Sequence, residues 1–196
     1  MSDDDVVAEE RCSEWRPREA VWQLGSRRGA SIGELGVRPL DHVMPKTGKN
    51  DFLRQTADVV FAGLKAETDI SRFSRARQVF ITIYSAQGII DNGGFRYFFE
   101  SDWPGQPPYS RFSDAYREIG AGDVAGFIDR AASLFGIADP HLHRDARLRY
   151  LKENCHDESA ELIKLGDRAI DESRRVFRLL EDYVRRHADH FHAAQP

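Results

Sequence analysis

Two adjacent glycines, Gly93 and Gly94, interrupt the strongest helical pattern in this 196-residue chain. Upstream, Phe73, Ala76, Val79, Phe80, Ile83, Tyr84, Gln87 and Ile90 recur at three- and four-residue intervals, the spacing of one buried helix face. Downstream, Phe95, Tyr97, Phe98 and Phe99 place four aromatics in five positions. A helix stops or turns at such a pair, because glycine takes positive φ at little cost and lets another backbone come close. The run Asp91-Asn92-Gly93-Gly94-Phe95-Arg96-Tyr97-Phe98-Phe99-Glu100 therefore reads as a corner between two helices, the first capped by Ser71 or Ser74. Asn92 stabilises the corner through its side chain and its tolerance of left-handed φ. A short helix over Phe95 to about Ser101 should follow. The loop Asp102-Trp103-Pro104-Gly105-Gln106-Pro107-Pro108 comes next, since closely spaced prolines cannot continue a helix.

The helical period governs everything from Asp51 onward. Leu53, Ala57, Val60, Phe61 and Leu64 share one face, with Asn50 or Asp51 as its cap. Phe112, Ala115, Tyr116 and Ile119 define a further helix closed by Gly120-Ala121-Gly122. Asp123 then caps a helix whose apolar face is Val124, Phe127, Ile128, Ala131 and Phe135. A weaker helix runs through Leu142, Ala146, Leu148 and Leu151, and a last long one from about Asp167 to His187. No alternating strand pattern and no internal repeat occur after residue 50. The fold class is all-α, a compact multi-helix bundle over residues 51–190 in which helices 73–90 and 167–187 form the central pair. Residues 1–50 differ: Gly25, Gly29, Gly33, Gly36 and Gly48 recur with Pro17, Pro39 and Pro45. Such punctuation predicts an irregular N-terminal arm with no core of its own. Residues 191–196 read as a tail.

Charge and cysteine content narrow the function classes. The net charge of -4 leaves no basic excess for direct nucleic-acid binding. No apolar run approaches the roughly 20 residues of a membrane span, and the acidic start Met1-Ser2-Asp3-Asp4-Asp5 lacks the basic region of a secretory signal. Cys12 and Cys155 lie far apart in unlike contexts. The expectation is a cytoplasmic protein with two free thiols, monomeric or homodimeric.

The ordered set Ile90-Asp91-Asn92-Gly93-Gly94-Phe95-Arg96-Tyr97-Phe98, Glu118-Ile119-Gly120-Ala121 and Asp123-Val124-Ala125-Gly126-Phe127-Ile128 resembles the helical domain of the bacterial DNA-mimic protein family. The resemblance spans roughly residues 51–190, with its specific part in 87–136. Asn92, Gly93, Gly94, Phe95 and Phe98 are its structural signature. Arg96 and Glu100-Ser101 depart from the family's usual Gln and Asn. The resemblance implies a helical domain and a non-catalytic, protein-binding role, with a DNA-binding regulator as the partner. A duplex carries one charge per about 1.7 Å of axis, and a chain this balanced can imitate that only locally.

Local charge shows where. Residues 91–129 hold seven acids (Asp91, Glu100, Asp102, Asp114, Glu118, Asp123 and Asp129) against three arginines (Arg96, Arg111 and Arg117), while residues 130–152 are net basic. An acidic pole of this kind attracts and steers a basic partner, and Asp91, Glu100, Asp102, Asp114, Glu118 and Asp123 are its candidate contact residues. The competing account makes these acids helix caps and solvated faces.

Other chemistry is weakly signalled. The glycine pair lacks the preceding strand, the spacing and the Lys-Ser/Thr of a phosphate loop. Phe95, Phe98 and Phe99 read as core, while Tyr97 or Trp103 could be exposed at an interface. His187 and His190 would share a helix face, and His141 and His143 are near neighbours, but no Cys or carboxylate joins them at a familiar ligand spacing. No metal, no cofactor and no catalytic residue is expected. A metal-dependent hydrolase built on the corner's carboxylates, and a structural or immunity-like partner in a complex, stay open as alternatives.

Overall fold

The computed structural model describes residues 51–66, 69–155 and 157–191. Among them there is no strand, as the periodicity predicts, and seven α-helices occur: α1 (Asp51–Ala66), α2 (Arg75–Glu100), α3 (Tyr109–Glu118), α4 (Gly122–Ser133), α5 (Arg144–Asn154), α6 (Glu161–Asp171) and α7 (Ser173–Arg186). Single 3-10 turns stand at Ile70–Arg72, Pro140–Leu142 and Ala188–His190. The arm expected over residues 1–50, including Cys12 and the Asn50 cap, lies outside the described residues, as does the tail beyond residue 191.

Helix α2 runs through the middle of the bundle and touches α1, α3, α5, α6 and α7. Its stripe is buried as the spacing predicts, with Val79, Phe80, Ile83, Gln87 and Ile90 wholly out of solvent. Ser74 is the cap of the two candidates: its hydroxyl accepts the Arg77 amide, while Ser71 lies in the preceding 3-10 turn and has its own amide held by Asp69 at 2.9 Å. At the glycine pair the axis breaks. Gly93 has φ −165° and ψ 25°, and Gly94 has φ 60° and ψ −158°. The positive φ thus falls on Gly94, not on Asn92, which stays helical and donates its side-chain amide to the Gly88 carbonyl at 2.7 Å.

Past the break, Phe95, Phe98 and Phe99 are all buried. Phe98 and Phe99 meet edge to face at 4.9 Å, Phe99 reaches Tyr109 at 4.6 Å, and Trp103 closes on Phe112 at 4.6 Å. Each such side chain contributes about 1.5–3 kcal/mol by leaving water, so this cluster anchors the short half of α2 on α3. Trp103 is half-buried and donates its indole N–H to the Phe98 carbonyl at 3.2 Å. The buried Arg147 guanidinium ties the same end to the next segment, donating to the carbonyls of Phe99, Pro140 and His141 at 3.1, 2.9 and 3.0 Å.

Two further expectations need correction. The last helix is not continuous over 167–187: α6 starts at Glu161, and a one-residue break at Glu172 separates it from α7. Gly166 lowers the local helix propensity and hides the start of α6 from a pattern reading, yet Leu162 and Leu165 are buried. The main partner of α2 is therefore α6, with α7 packing on its first half through Phe177 and Tyr84, 6.4 Å apart. Nor is Asp123 a cap. Helix α4 begins one residue earlier, which places Asp123 in its first turn.

Candidate functional site

The break in α2 exists to let another backbone in. Gly166 of α6 crosses Gly94 so closely that a β-carbon on Gly166 would lie 2.6 Å from the Phe95 amide nitrogen and 3.3 Å from the Gly94 α-carbon. Gly94 itself holds a φ/ψ combination open in practice only to glycine. A β-carbon on Gly93 would meet the Tyr97 ring at 2.2 Å, so that ring covers the corner from the other side. Gly94 and Gly166 make the contact between the two helices, and Gly93 makes room for the Tyr97 ring.

Beside this contact a polar chain runs from the core to the surface. The buried Tyr116 hydroxyl donates to Gln87 Oε1 at 3.0 Å, and Gln87 Nε2 donates to Asp91 Oδ1 at 2.7 Å. Ser173 Oγ donates to Asp91 Oδ2 at 2.7 Å. Gln87 stands on the apolar stripe because its amide supplies both a donor and an acceptor between a phenol and a carboxylate. Burial pushes the Tyr116 phenol well above its usual value, and the Asp91 charge adds to that. Burial also pushes the Asp91 carboxyl above the usual carboxylate range, against the opposing pull of the Ser173 and Gln87 hydrogen bonds. Both of its hydrogen-bonded partners are neutral. Among the described residues, no Lys, Arg or His makes an ion pair with Asp91.

A cleft of about 200 Å³ opens where α6 meets the corner. Its polar lining is Asp91, Asn92 and Asp167, and its apolar lining is Gly93, Gly94, Phe95, Ile163 and Ile170. Asn92 and Asp167 are exposed, and the two isoleucines are half-buried. A comparable hollow of about 210 Å³ lies between the ends of α1 and α7 and is mainly apolar, with Phe52, Val59, Val184 and Phe191 in its lining.

The other five acids of the expected contact surface each face an arginine. Asp102 pairs with Arg144 at 2.8 Å and with the buried Arg147 at 3.3 Å. Asp114 pairs with Arg117 at 2.9 Å, and Arg117 also grips Asp129. Asp123 pairs with Arg175 at 3.1 Å. Glu100 pairs with Arg96 at 3.2 Å, and its second oxygen is buried without a hydrogen-bond partner. Glu118 pairs with Arg75 at 2.7 Å and accepts the Tyr183 hydroxyl at 2.6 Å, which together with burial holds that phenol far above its usual value. Accessibility sorts them. The Asp102, Asp114 and Asp123 side chains are 55%, 61% and 69% exposed, whereas Glu100 and Glu118 are 17% and 31% exposed.

Sequence reasoning missed Gly166, Asp167 and Ile163, and with them half of the cleft. A glycine inside an otherwise amphipathic helix marks a close approach and was the available signal. Among the described residues, no three His, Cys, Asp or Glu side chains gather in a way that could hold a metal ion. Cys155 is buried and unpaired by any disulfide, and burial raises its thiol. Among the described residues, no helix is long and apolar enough to cross a membrane.

The family model described as DMP19-like protein matches residues 71–187. That is more than half of the chain, and it takes in the corner, the cleft and every acid discussed above. No curated protein and no solved structure matches the chain.

Proposed function

The chain belongs to the DMP19-like protein family, and from that premise we propose that it is a non-catalytic protein-binding module which engages a DNA-binding regulator through a local acidic surface. The family match carries the reading, because the matched residues include all six candidate contact acids. Whole-surface mimicry of a duplex is out of reach for a chain of net charge -4. The engagement is therefore local, with Asp102, Asp114 and Asp123 as the reachable carboxylates and Asp91 at the corner. Glu100 and Glu118 are more deeply set and pair with Arg96 and Arg75.

Ion pairing within the domain does not defeat this reading. Exposed pairs of this type are worth only about 0–1 kcal/mol, and Arg117, Arg144 and Arg175 are themselves 40–54% exposed. A partner's arginine can replace Arg117 at Asp114 or Arg175 at Asp123 at little net cost, which makes binding there an exchange of counter-ions, while Asp102 keeps its buried partner Arg147. Such exchange gives specificity and approach rate more than raw affinity.

The test is capture from host lysate on the full chain, with captured proteins identified by mass spectrometry. A DNA-binding protein should be retained, duplex DNA should release it, and Asp114→Lys combined with Asp123→Lys should abolish retention while the chain stays folded by circular dichroism. Retention unmoved by both duplex DNA and the double reversal would overturn the reading.

A further inference from the structure

We propose that the cleft at the glycine corner receives one arginine side chain of the protein partner, seated between Asp91 and Asp167 with its aliphatic stem against Ile163 and Ile170. This rests on the protein-binding role proposed above and names the contact at its centre. Three observations converge on it.

The first is an incomplete charge. Asp91 is half-buried, takes hydrogen bonds only from Gln87 and Ser173, and has no ion-pair partner among the described residues. Every other acid of the expected surface has one. A carboxylate withdrawn from water and left without a counter-ion gains most from a cation brought to it.

The second is the size and lining of the space. About 200 Å³ falls below the roughly 300–1,000 Å³ of small-molecule sites and suits one long side chain. Asp91, Asn92 and Asp167 line it together with Ile163, Ile170 and the glycine backbone. A polar lining beside an apolar one matches a side chain that buries its stem and keeps its charged head among acceptors.

The third is the supply of acceptors. Asn92 spends its amide N–H on Gly88, which leaves its carbonyl oxygen as a further acceptor. The first half of α2 ends here, and the negative end of its dipole favours a cation. A guanidinium, planar and with five donors, can use several acceptors at once, which an ammonium on a thin stem does less well.

The probe is a hexa-arginine peptide titrated into the isotope-labelled full chain and followed by amide NMR, with hexa-citrulline as the uncharged control. Hexa-arginine should shift the Gly93, Gly94 and Asp167 amides saturably, and hexa-citrulline should not. Asp167→Asn, an exposed change, should weaken that binding about three- to fivefold, the worth of one ion pair near a surface. Asp114→Asn with Asp123→Asn should leave the corner shifts unchanged. As a second readout, the Asp91 carboxyl should titrate at lower pH when the peptide is bound. Absence of binding, equal shifts with citrulline, or shifts spread over all exposed acids and indifferent to Asp167→Asn would overturn the proposal. Loss of partner capture with the peptide result intact would instead count against the regulator-binding role and leave the arginine notch standing.

Discussion

A β-carbon on Gly166 would stand 2.6 Å from the backbone nitrogen of Phe95. Neither side of that contact is a flexible side-chain tip, so a methyl group there must push two helices apart. Alanine gains up to about 1 kcal/mol over glycine inside a helix, and overpacking costs about 1–3 kcal/mol. Gly166→Ala should therefore destabilise the domain by about 1–2 kcal/mol net in urea unfolding. Gly126 in α4 has no atom within 4 Å of the same position, so Gly126→Ala should stabilise by about 0.5–1 kcal/mol. Equal effects at the two glycines would dissolve the close-approach account.

Tyr116 and Gln87 make a second test. Tyr116→Phe removes the donor that satisfies Gln87 Oε1 in a fully buried setting. An acceptor stranded in that way costs about 1–3 kcal/mol. The unfolding free energy from urea titration should fall by that amount, seen as a lower midpoint with an unchanged slope. A loss below about 0.5 kcal/mol, within the scatter of surface substitutions, would mean that the hydrogen bond contributes nothing.

Asp91 should leave a mark on the pH dependence of stability. Its folded carboxyl sits above the ordinary value because burial disfavours the charged form, while the unfolded one titrates near about 3.9. Between those two values the folded state holds more proton than the unfolded state. Stability from this group is fully present below the unfolded value and is lost as pH rises through the folded one. Asp91→Asn can still accept from Gln87 and donate to Ser173. It should melt higher than the parent at neutral pH, with the gap closing toward pH 4. A constant gap across that range would show that Asp91 titrates normally.

Arg147 serves three carbonyls from inside the bundle. Arg147→Met keeps the packing volume and strands the Phe99, Pro140 and His141 oxygens, each worth about 1–3 kcal/mol when buried. Hydrogen exchange should speed up at the Leu142 and His143 amides, which close the 3-10 turn on Asp139 and Pro140, well before it does in α2. Unchanged exchange in that turn would argue against its being pinned by Arg147.

Periodicity made the helices legible because a helix in a bundle buries one stripe, and the stripe repeats locally. The faces of α1 through α4 and the stripe of α2 could be read that way, and the corner followed from two residues whose backbone freedom is local chemistry. The start of α6 could not. Gly166 reads as a helix breaker in isolation, and only the presence of Gly94 across the interface turns it into a packing necessity. Ile163 was hidden with it, and Asp167 entered only as the approximate start of a helix, so the cleft showed only its α2 wall as a candidate site in the sequence.

The acidic pole shows the same division more sharply. Residue order alone determined that carboxylates concentrate between 91 and 129, that the chain from Asp51 onward is helical, and that a glycine pair bends it between Asn92 and Phe95. Only the tertiary structure decided which of those carboxylates is left without a counter-ion. Arg75, Arg144, Arg147 and Arg175 come from outside the segment and reach Glu118, Asp102 and Asp123, whereas Asp91 is left to Gln87 and Ser173. Charge along a chain is additive, but the field at a surface depends on distances between residues that folding alone brings together.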